Sequence, residues 1–150
     1  MSADPLSTSL LDAFRATIYR VRLNGGVEFD LRIDEAIDWP EAAADRPRNR
    51  WMILTADNPA AERRDEAANR AARADLDAAL ADARLPVRGT TRHIDPDDRW
   101  PEERGRLIEL RRFDDGLALA RRFGQAAVVC GDADGSVRLV AIRRGHGGRG

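Results

Sequence analysis

Hydrophobic and polar positions alternate along this chain with two different periods, and the changes of period mark its elements. Leu10, Leu11, Phe14 and Ile18 recur at helical spacing behind Ser7, Thr8 and Ser9, which suit a helix N-cap, so a helix is expected over Thr8–Ala16. From Ile18 the period falls to two. Tyr19, Val21 and Leu23 alternate with polar residues, Asn24-Gly25-Gly26 supplies a turn, and Val27, Phe29, Leu31 and Ile33 alternate again. That is a β-hairpin. Asp38-Trp39-Pro40-Glu41 reads as the start of a short helix, with proline early and acid in the first turn.

The unbroken apolar run at 51–56 is expected to be a central strand covered on both faces. An alanine-rich helix follows over about 60–83. Its apolar stripe is Ala68, Ala72, Leu76, Ala79, Leu80 and Ala83, and its polar side carries Glu62, Glu66, Arg70, Arg73 and Asp77. Strands are expected over 86–94 and 106–111, with a polar loop between them over 93–101. Leu117, Leu119, Ala120 and Phe123 mark a helix closed by Gly124, and strands at 126–130 and 137–142 complete the order.

After the opening helix and hairpin the order is strand, helix, strand, strand, helix, strand. This is the split βαβ pattern, so the expected fold is α+β: a two-layer sandwich with a ferredoxin-like βαββαβ core. Because the 51–56 run is apolar on both faces, the segment near Trp39 is expected to cover the second face. The organisation read from the chain is a flexible stretch over 1–7, one domain over 8–142, and a disordered arginine-glycine tail over 143–150.

Chain direction then locates a site. If the 51–56 strand runs upward, the loop at Thr55–Pro59, the first turns of the long helix, the Trp100-Pro101-Glu102-Glu103 loop and Phe123-Gly124-Gln125 all arrive at the top of the sheet. Loops gathered on a rigid scaffold are where sites are built. The candidate ligand-binding residues are therefore Thr55, Asn58, Asn69, His93, Trp100, Glu102 and Gln125. Asn69 lies beside the apolar stripe and serves either as a structural tie to the Thr55–Asn58 loop or as a ligand contact. Asn58 before proline suits a helix cap or an Asx turn. Trp100 offers a stacking face or a lid, and Glu102 an acceptor. His93 is a lone loop histidine, able to act as a base near neutral pH but without a nucleophile in a recognisable motif. With Asp95, Asp97 and Asp98 it reads more simply as a solvated turn than as a metal site. Cys130 reads as a small buried residue.

Composition narrows the classes. The chain has 150 residues and its 25 basic residues, all arginine, nearly cancel 26 acidic ones, for a net charge of −1. A strongly basic nucleic-acid binder is not expected. Arginine without lysine suits phosphate, but alanine, arginine, glycine and aspartate dominate the whole chain, so a compositional bias accounts for it better. The single cysteine excludes an internal disulfide. There is no phosphate loop, zinc motif or nucleophile elbow, and neither a cofactor nor a metal is expected. No apolar run reaches the ~18 residues of a membrane span, and the N-terminal residues lack a signal-peptide pattern. A soluble cytoplasmic domain, with no membrane partner and an unknown protein partner, is the expectation.

The segments that converge on the sheet end also carry a likeness. Thr55-Ala-x-Asn58-Pro59, Asn69, Trp100-Pro-Glu102-Glu and Phe123-Gly-Gln125-x-Ala127-Val128, together with the opening Leu11-x-Ala13-Phe14-Arg15-Ala16-Thr17-x-Tyr19, resemble a bacterial family of uncharacterised proteins, the domain of unknown function 3293. The likeness runs from about Leu10 to Val140. Members often carry a serine after Trp-Pro-Glu-Glu where this chain has Arg104, so a role for that hydroxyl is not carried over. The resemblance implies positions, not a reaction. Three readings follow: a small cytoplasmic domain binding a polar or nucleotide-like ligand at the sheet end; a protein-interaction module whose amides are structural; or a hydrolase or transferase using His93 and Glu102.

Overall fold

The computed structural model describes residues 7–40, 44–59 and 62–142. The expectations for the tail and for residues before Ser7 lie outside these. The elements run α1 (Thr8–Ala16), β1 (Ile18–Leu23), β2 (Glu28–Leu31), β3 (Arg50–Thr55), α2 (Glu66–Asp82), β4 (Val87–Ile94), β5 (Glu103–Leu110), α3 (Phe113–Arg122), β6 (Ala127–Gly131) and β7 (Arg138–Ala141). The seven strands form one antiparallel sheet in the order β2-β1-β4-β5-β3-β6-β7. The fold is α+β.

Period-two alternation gives the sheet two apolar faces. Met52 and Leu54 of β3, Ile108 and Leu110 of β5 and Val128 and Cys130 of β6 meet Leu76, Ala79 and Leu80 of α2 and Leu119 and Ala120 of α3. The other face gathers Tyr19, Val21 and Leu23 of β1, Leu31, Trp51 and Ile53 of β3, Leu107 and Val129. All of β3 except Arg50 is therefore buried. The second face needs its own cover. Ile37 and Trp39 supply part of it, and the Trp39 ring meets Trp51 edge-on with centroids 6.0 Å apart. This segment has no helix over 34–40, contrary to the helix start read there; its backbone is committed elsewhere. Asp34 N–H donates to Val137 O and Ile37 N–H to Gly135 O, so the chain leaving edge strand β2 crosses to the turn before the opposite edge strand β7. The sheet curls around this crossing. Gly135, at φ +97°, has the Ile37 carbonyl packed where a Cβ would stand.

The strand directions follow the sequence argument. β5 and β6 both run antiparallel to β3, and β4 and β1 alternate again. The C-termini of β3 and β4 and the N-termini of β1, β5 and β6 thus share one rim. Two elements, α2 and β5, begin three or more residues from the expected positions. α2 starts at Glu66, capped by the Asp65 carboxylate on Ala68 N–H at 2.7 Å, and not near residue 60. β5 starts at Glu103, three residues earlier than expected, and His93 lies within β4, not in a loop. No helix among the described residues is long and apolar enough to cross a membrane.

Candidate functional site

The rim is held together by buried polar bonds. Asn58 sits in left-handed backbone at φ 47°, and every polar group it turns inward is used. Its N–H donates to Asn69 Oδ1 (3.0 Å), its Oδ1 accepts from Asn69 Nδ2 (3.1 Å) and Arg64 N–H (2.8 Å), and its Nδ2 donates to Glu103 Oε2 (2.8 Å). Asn69 is therefore a structural tie between α2 and the end of β3. The α2 cap is Asp65, so Asn58 does a different job from capping. Thr55 is equally committed: its hydroxyl donates to Arg104 O at 2.7 Å and accepts from Asp57 N–H at 3.0 Å.

Beneath these amides lies a buried ion pair. Asp57 stands 3.3 Å from the Arg73 guanidinium, and both side chains are under a tenth exposed. Arg73 also binds Glu66 (2.8 Å) and donates to Asn69 O, while the other Asp57 oxygen accepts Arg104 N–H at 2.9 Å. Arg73 was expected on the polar outer side of α2; the carboxylate at the end of β3 draws it in. Burial holds the Asp57 carboxyl above its ordinary range, against the pull of Arg104 N–H and Arg73.

These ties shape a cavity of about 70 Å³ on the face of the sheet away from α2 and α3. That exceeds the ~10–15 Å³ one water occupies. Leu10, Ala13 and Phe14 of α1 and its C-cap Thr17 roof it; Ile53 and Val129 form part of its wall. Ser7, whose hydroxyl accepts Leu10 N–H at 3.1 Å, starts that roof helix, as the sequence predicts. The polar lining comes from Tyr19, Thr55, Asn58, His93, Asp95, Trp100, Glu103 and Gln125. Five of the seven candidates, Thr55, Asn58, His93, Trp100 and Gln125, thus meet at one cavity. Asn69 stands behind its wall, and Glu102 faces outward in a two-pronged pair with Arg92 (2.8 and 3.0 Å).

The carboxylate inside is the next residue. Alternation along β5 puts Glu103, Gly105 and Leu107 on the cavity face. Glu103 Oε2 accepts from Asn58 Nδ2 and from Trp100 Nε1 (3.2 Å), and Oε1 lies 4.0 Å from His93 Nδ1. Burial raises the Glu103 carboxyl to about 7, with the Asn58 and Trp100 bonds pulling down and Asp57 pushing up. Burial likewise drives the His93 imidazole down to about 4, against the upward pull of Glu102, so the ring is neutral at pH 7. Its Nε2 is 2.8 Å from the Thr91 hydroxyl, and its ring meets the Tyr19 ring in an edge-type contact with centroids 4.9 Å apart. Gly105 leaves the room this needs, since a Cβ there would stand 2.7 Å from Thr91 Oγ1 and 3.0 Å from His93 Nε2.

Arg63 lies 5.8 Å over the Trp100 ring. Among the described residues the Gln125 side chain makes one long bond, 3.5 Å to Phe123 O. The Asp95 carboxylate accepts from the N–H groups of Asp97 and Arg99 and lies 3.5 Å from the Arg99 guanidinium, so this is a turn, but its Asp95 side chain is buried and not solvated. Among the described residues no three His, Cys, Asp or Glu side chains converge as a metal would require. Cys130 is buried, its thiol raised to about 11 by burial, and so protonated. Glu103, Tyr19 and the α1 roof were absent from the sequence-derived candidates. Counting back in twos from Leu107 would have found Glu103.

No curated protein and no solved structure matches the chain. A family model does, over residues 54–128, the half of the chain that runs from the end of β3 through α2, β4, β5 and α3 into β6. That span contains Asn58, Asn69, the Trp100 loop, Glu103 and Gln125, so the matched half supplies most of the polar lining and its buried supports. The chain belongs to the family described as protein of unknown function (DUF3293).

Proposed function

We propose that this domain binds a small organic molecule in the rim cavity, with an apolar body under α1 and a polar head at Glu103, Trp100 and Gln125. One observation carries the reading. Segments from across the sequence line one space that is mostly apolar and in which Asn58, Trp100 and His93 converge on one carboxyl, the form ligand sites take. The nucleotide-like part of the expectation narrows to a ring without phosphates, because no arginine is among the described residues lining the cavity. The third reading moves from Glu102 to Glu103, since Glu102 is turned away and paired with Arg92. A ferredoxin-like ancestry for the core is supported by the order β4-β5-β3-β6, with β1, β2 and β7 as added strands.

The test is a small-fragment screen on the full chain by amide and indole NMR, with nucleosides and nucleotides included. Binding here shifts the Trp100 indole N–H, the Gln125 side-chain amide and the Tyr19 and Val129 amides together. A screen that leaves all four unmoved at millimolar fragment removes the proposal.

A further inference from the structure

The charge around Glu103 is out of keeping with the rest of the chain. All 25 basic residues are arginine. Neighbouring carboxylates on the sheet and α2 have taken arginines: Asp57 with Arg73, Glu102 with Arg92, Glu109 with Arg88 and Asp77 with Arg106. Glu103 has not. Its partners among the described residues are two neutral donors, Asn58 and Trp100, and an imidazole 4.0 Å away. The other acid in the lining, Asp95, is already occupied by the backbone N–H groups of Asp97 and Arg99 and by the Arg99 guanidinium at 3.5 Å.

A half-buried carboxylate without a cation, in a space lined by Phe14, Ile53 and Val129 and bordered by Tyr19 and Trp100, has the chemistry of a cation receptor. An ammonium or amidinium group brings the charge and the N–H donors that an arginine supplies at the other carboxylates. The Tyr19 ring adds attraction for positive charge, while the Trp100 ring already carries Arg63 at 5.8 Å. An anionic head would face Glu103, which has no arginine partner among the described residues, whereas Asp95 already has Arg99 at 3.5 Å. Resting on the cavity reading above, we infer that the ligand is an organic cation, a primary ammonium or amidinium on a small aromatic or aliphatic body, seated on Glu103.

The cation also competes with the proton on Glu103, so affinity rises as pH passes upward through the Glu103 titration. The groups that face this carboxyl are Asp57 from the end of β3, His93 and Asp95 from β4 and its loop, and Tyr19 from β1. Exposed Glu102 and Arg104 flank it on its own strand, Arg99 pairs with Asp95 and Arg63 lies over Trp100, and α1 with its C-cap presents the uncharged Leu10, Ala13, Phe14 and Thr17. Of these, His93 is neutral from about pH 5 upward, so Glu103 governs the change.

The experiment titrates the full chain with benzylamine, benzyl alcohol and benzoate at about pH 8 and at about pH 5.5, reading the Trp100 indole N–H, for the native chain and for Glu103→Gln. Benzylamine is expected to bind about tenfold more tightly than benzyl alcohol at the higher pH, to lose that advantage at the lower pH, and to lose it in Glu103→Gln. A melting temperature for Glu103→Gln at or above the native value at pH 8 shows that the variant is folded; Glu103→Asp, which keeps the charge on a shorter arm, retains a preference for the amine. Benzyl alcohol binding as tightly as benzylamine, or Glu103→Gln holding the amine as well as the native chain, overturns the cation inference while leaving the cavity reading in place. Benzoate bound most tightly, or no shift with any of the three, overturns it as well; only the wider fragment screen, if also silent, removes the cavity reading itself.

Discussion

Glu103 shows how much one position of register matters. Glu102 and Glu103 are adjacent and chemically alike, yet one is a solvated partner of Arg92 and the other is turned into the cavity. Their titration separates them. The Glu103 carboxyl, raised by burial, holds its proton in the folded state up to about pH 7, whereas the unfolded chain releases it near the ordinary carboxylate value. Stability therefore falls as pH rises through that interval, by an amount on the order of 3 kcal/mol. His93, lowered by burial, acts in the opposite sense: the unfolded chain takes up a proton below about 6.5 that the folded chain refuses until about 4, so stability falls as pH drops there. In the native chain the two slopes oppose each other and the profile between about pH 4.5 and 6.5 is shallow. Glu103→Gln keeps an acceptor for Asn58 and removes one slope. It is expected to be about 2–3 kcal/mol more stable than the native chain at pH 8 and about equal to it near pH 4.5, by denaturant unfolding at each pH. A variant less stable than the native chain at pH 8 would show that the ionised carboxylate is well solvated. Sequence reading singles out Glu102 of the pair Glu102–Glu103, whereas Glu103 is the one that lines the cavity; a strand read as beginning at residue 106 does not extend the alternation that distinguishes the two.

The elements meet at the rim through charge as well as apolar packing. α2 docks its Leu76, Ala79 and Leu80 on the sheet, yet its first turns are fixed by Asn69 on Asn58 and by Arg73 on Asp57. Arg73→Met leaves Asp57 buried without its cation and is expected to cost about 3–5 kcal/mol, while Arg73→Met with Asp57→Asn recovers most of the loss. Additive losses in the double variant would contradict the pairing. Asn69→Ala strands the Asn58 N–H and frees its side chain, for about 1–3 kcal/mol. By releasing Asn58 it also lets Glu103 move, so the Trp100 indole N–H shifts without any ligand present; an unmoved indole resonance would deny that coupling. The structural role of Asn69 was legible from its place beside the apolar stripe. The inward turn of Arg73 was not, because helical periodicity assigns a charged residue to the water side, and the partner that reverses this lies on a different element, sixteen residues earlier in the chain.

For the molecule as a whole, the curl of the sheet makes the site. β3 is apolar on both faces, and the second face is closed from below by Ile37 and Trp39 and from above by α1, with the cavity between Phe14 and Glu103. The α+β class, the strand directions and the convergence of five candidates were legible, since each follows from local period and from the reversal of direction at every connection. The curl was not, because it depends on backbone hydrogen bonds between Asp34 and Val137 and between Ile37 and Gly135, about a hundred residues apart in sequence. Gly135→Ala, which combines positive φ with the Ile37 carbonyl in the way, is expected to lower stability by at least about 1–2 kcal/mol and to loosen the whole face, read as faster amide exchange at Ile37 and Val137. Unchanged exchange at those amides would mean that the crossing does not hold the sheet closed.

The claim beneath all of this is that Glu103 sits largely buried in the rim cavity and not in open water. Carbon-13 NMR of the glutamate side-chain carboxyls across pH, with Glu103 assigned by Glu103→Gln, tests it directly. The account predicts that one carboxyl resonance titrates near pH 7, that it vanishes in the variant, and that Glu102 titrates below the ordinary glutamate value because Arg92 holds it ionised. A Glu103 midpoint near the ordinary value of about 4.3 would place the carboxyl in solvent and contradict the site described here.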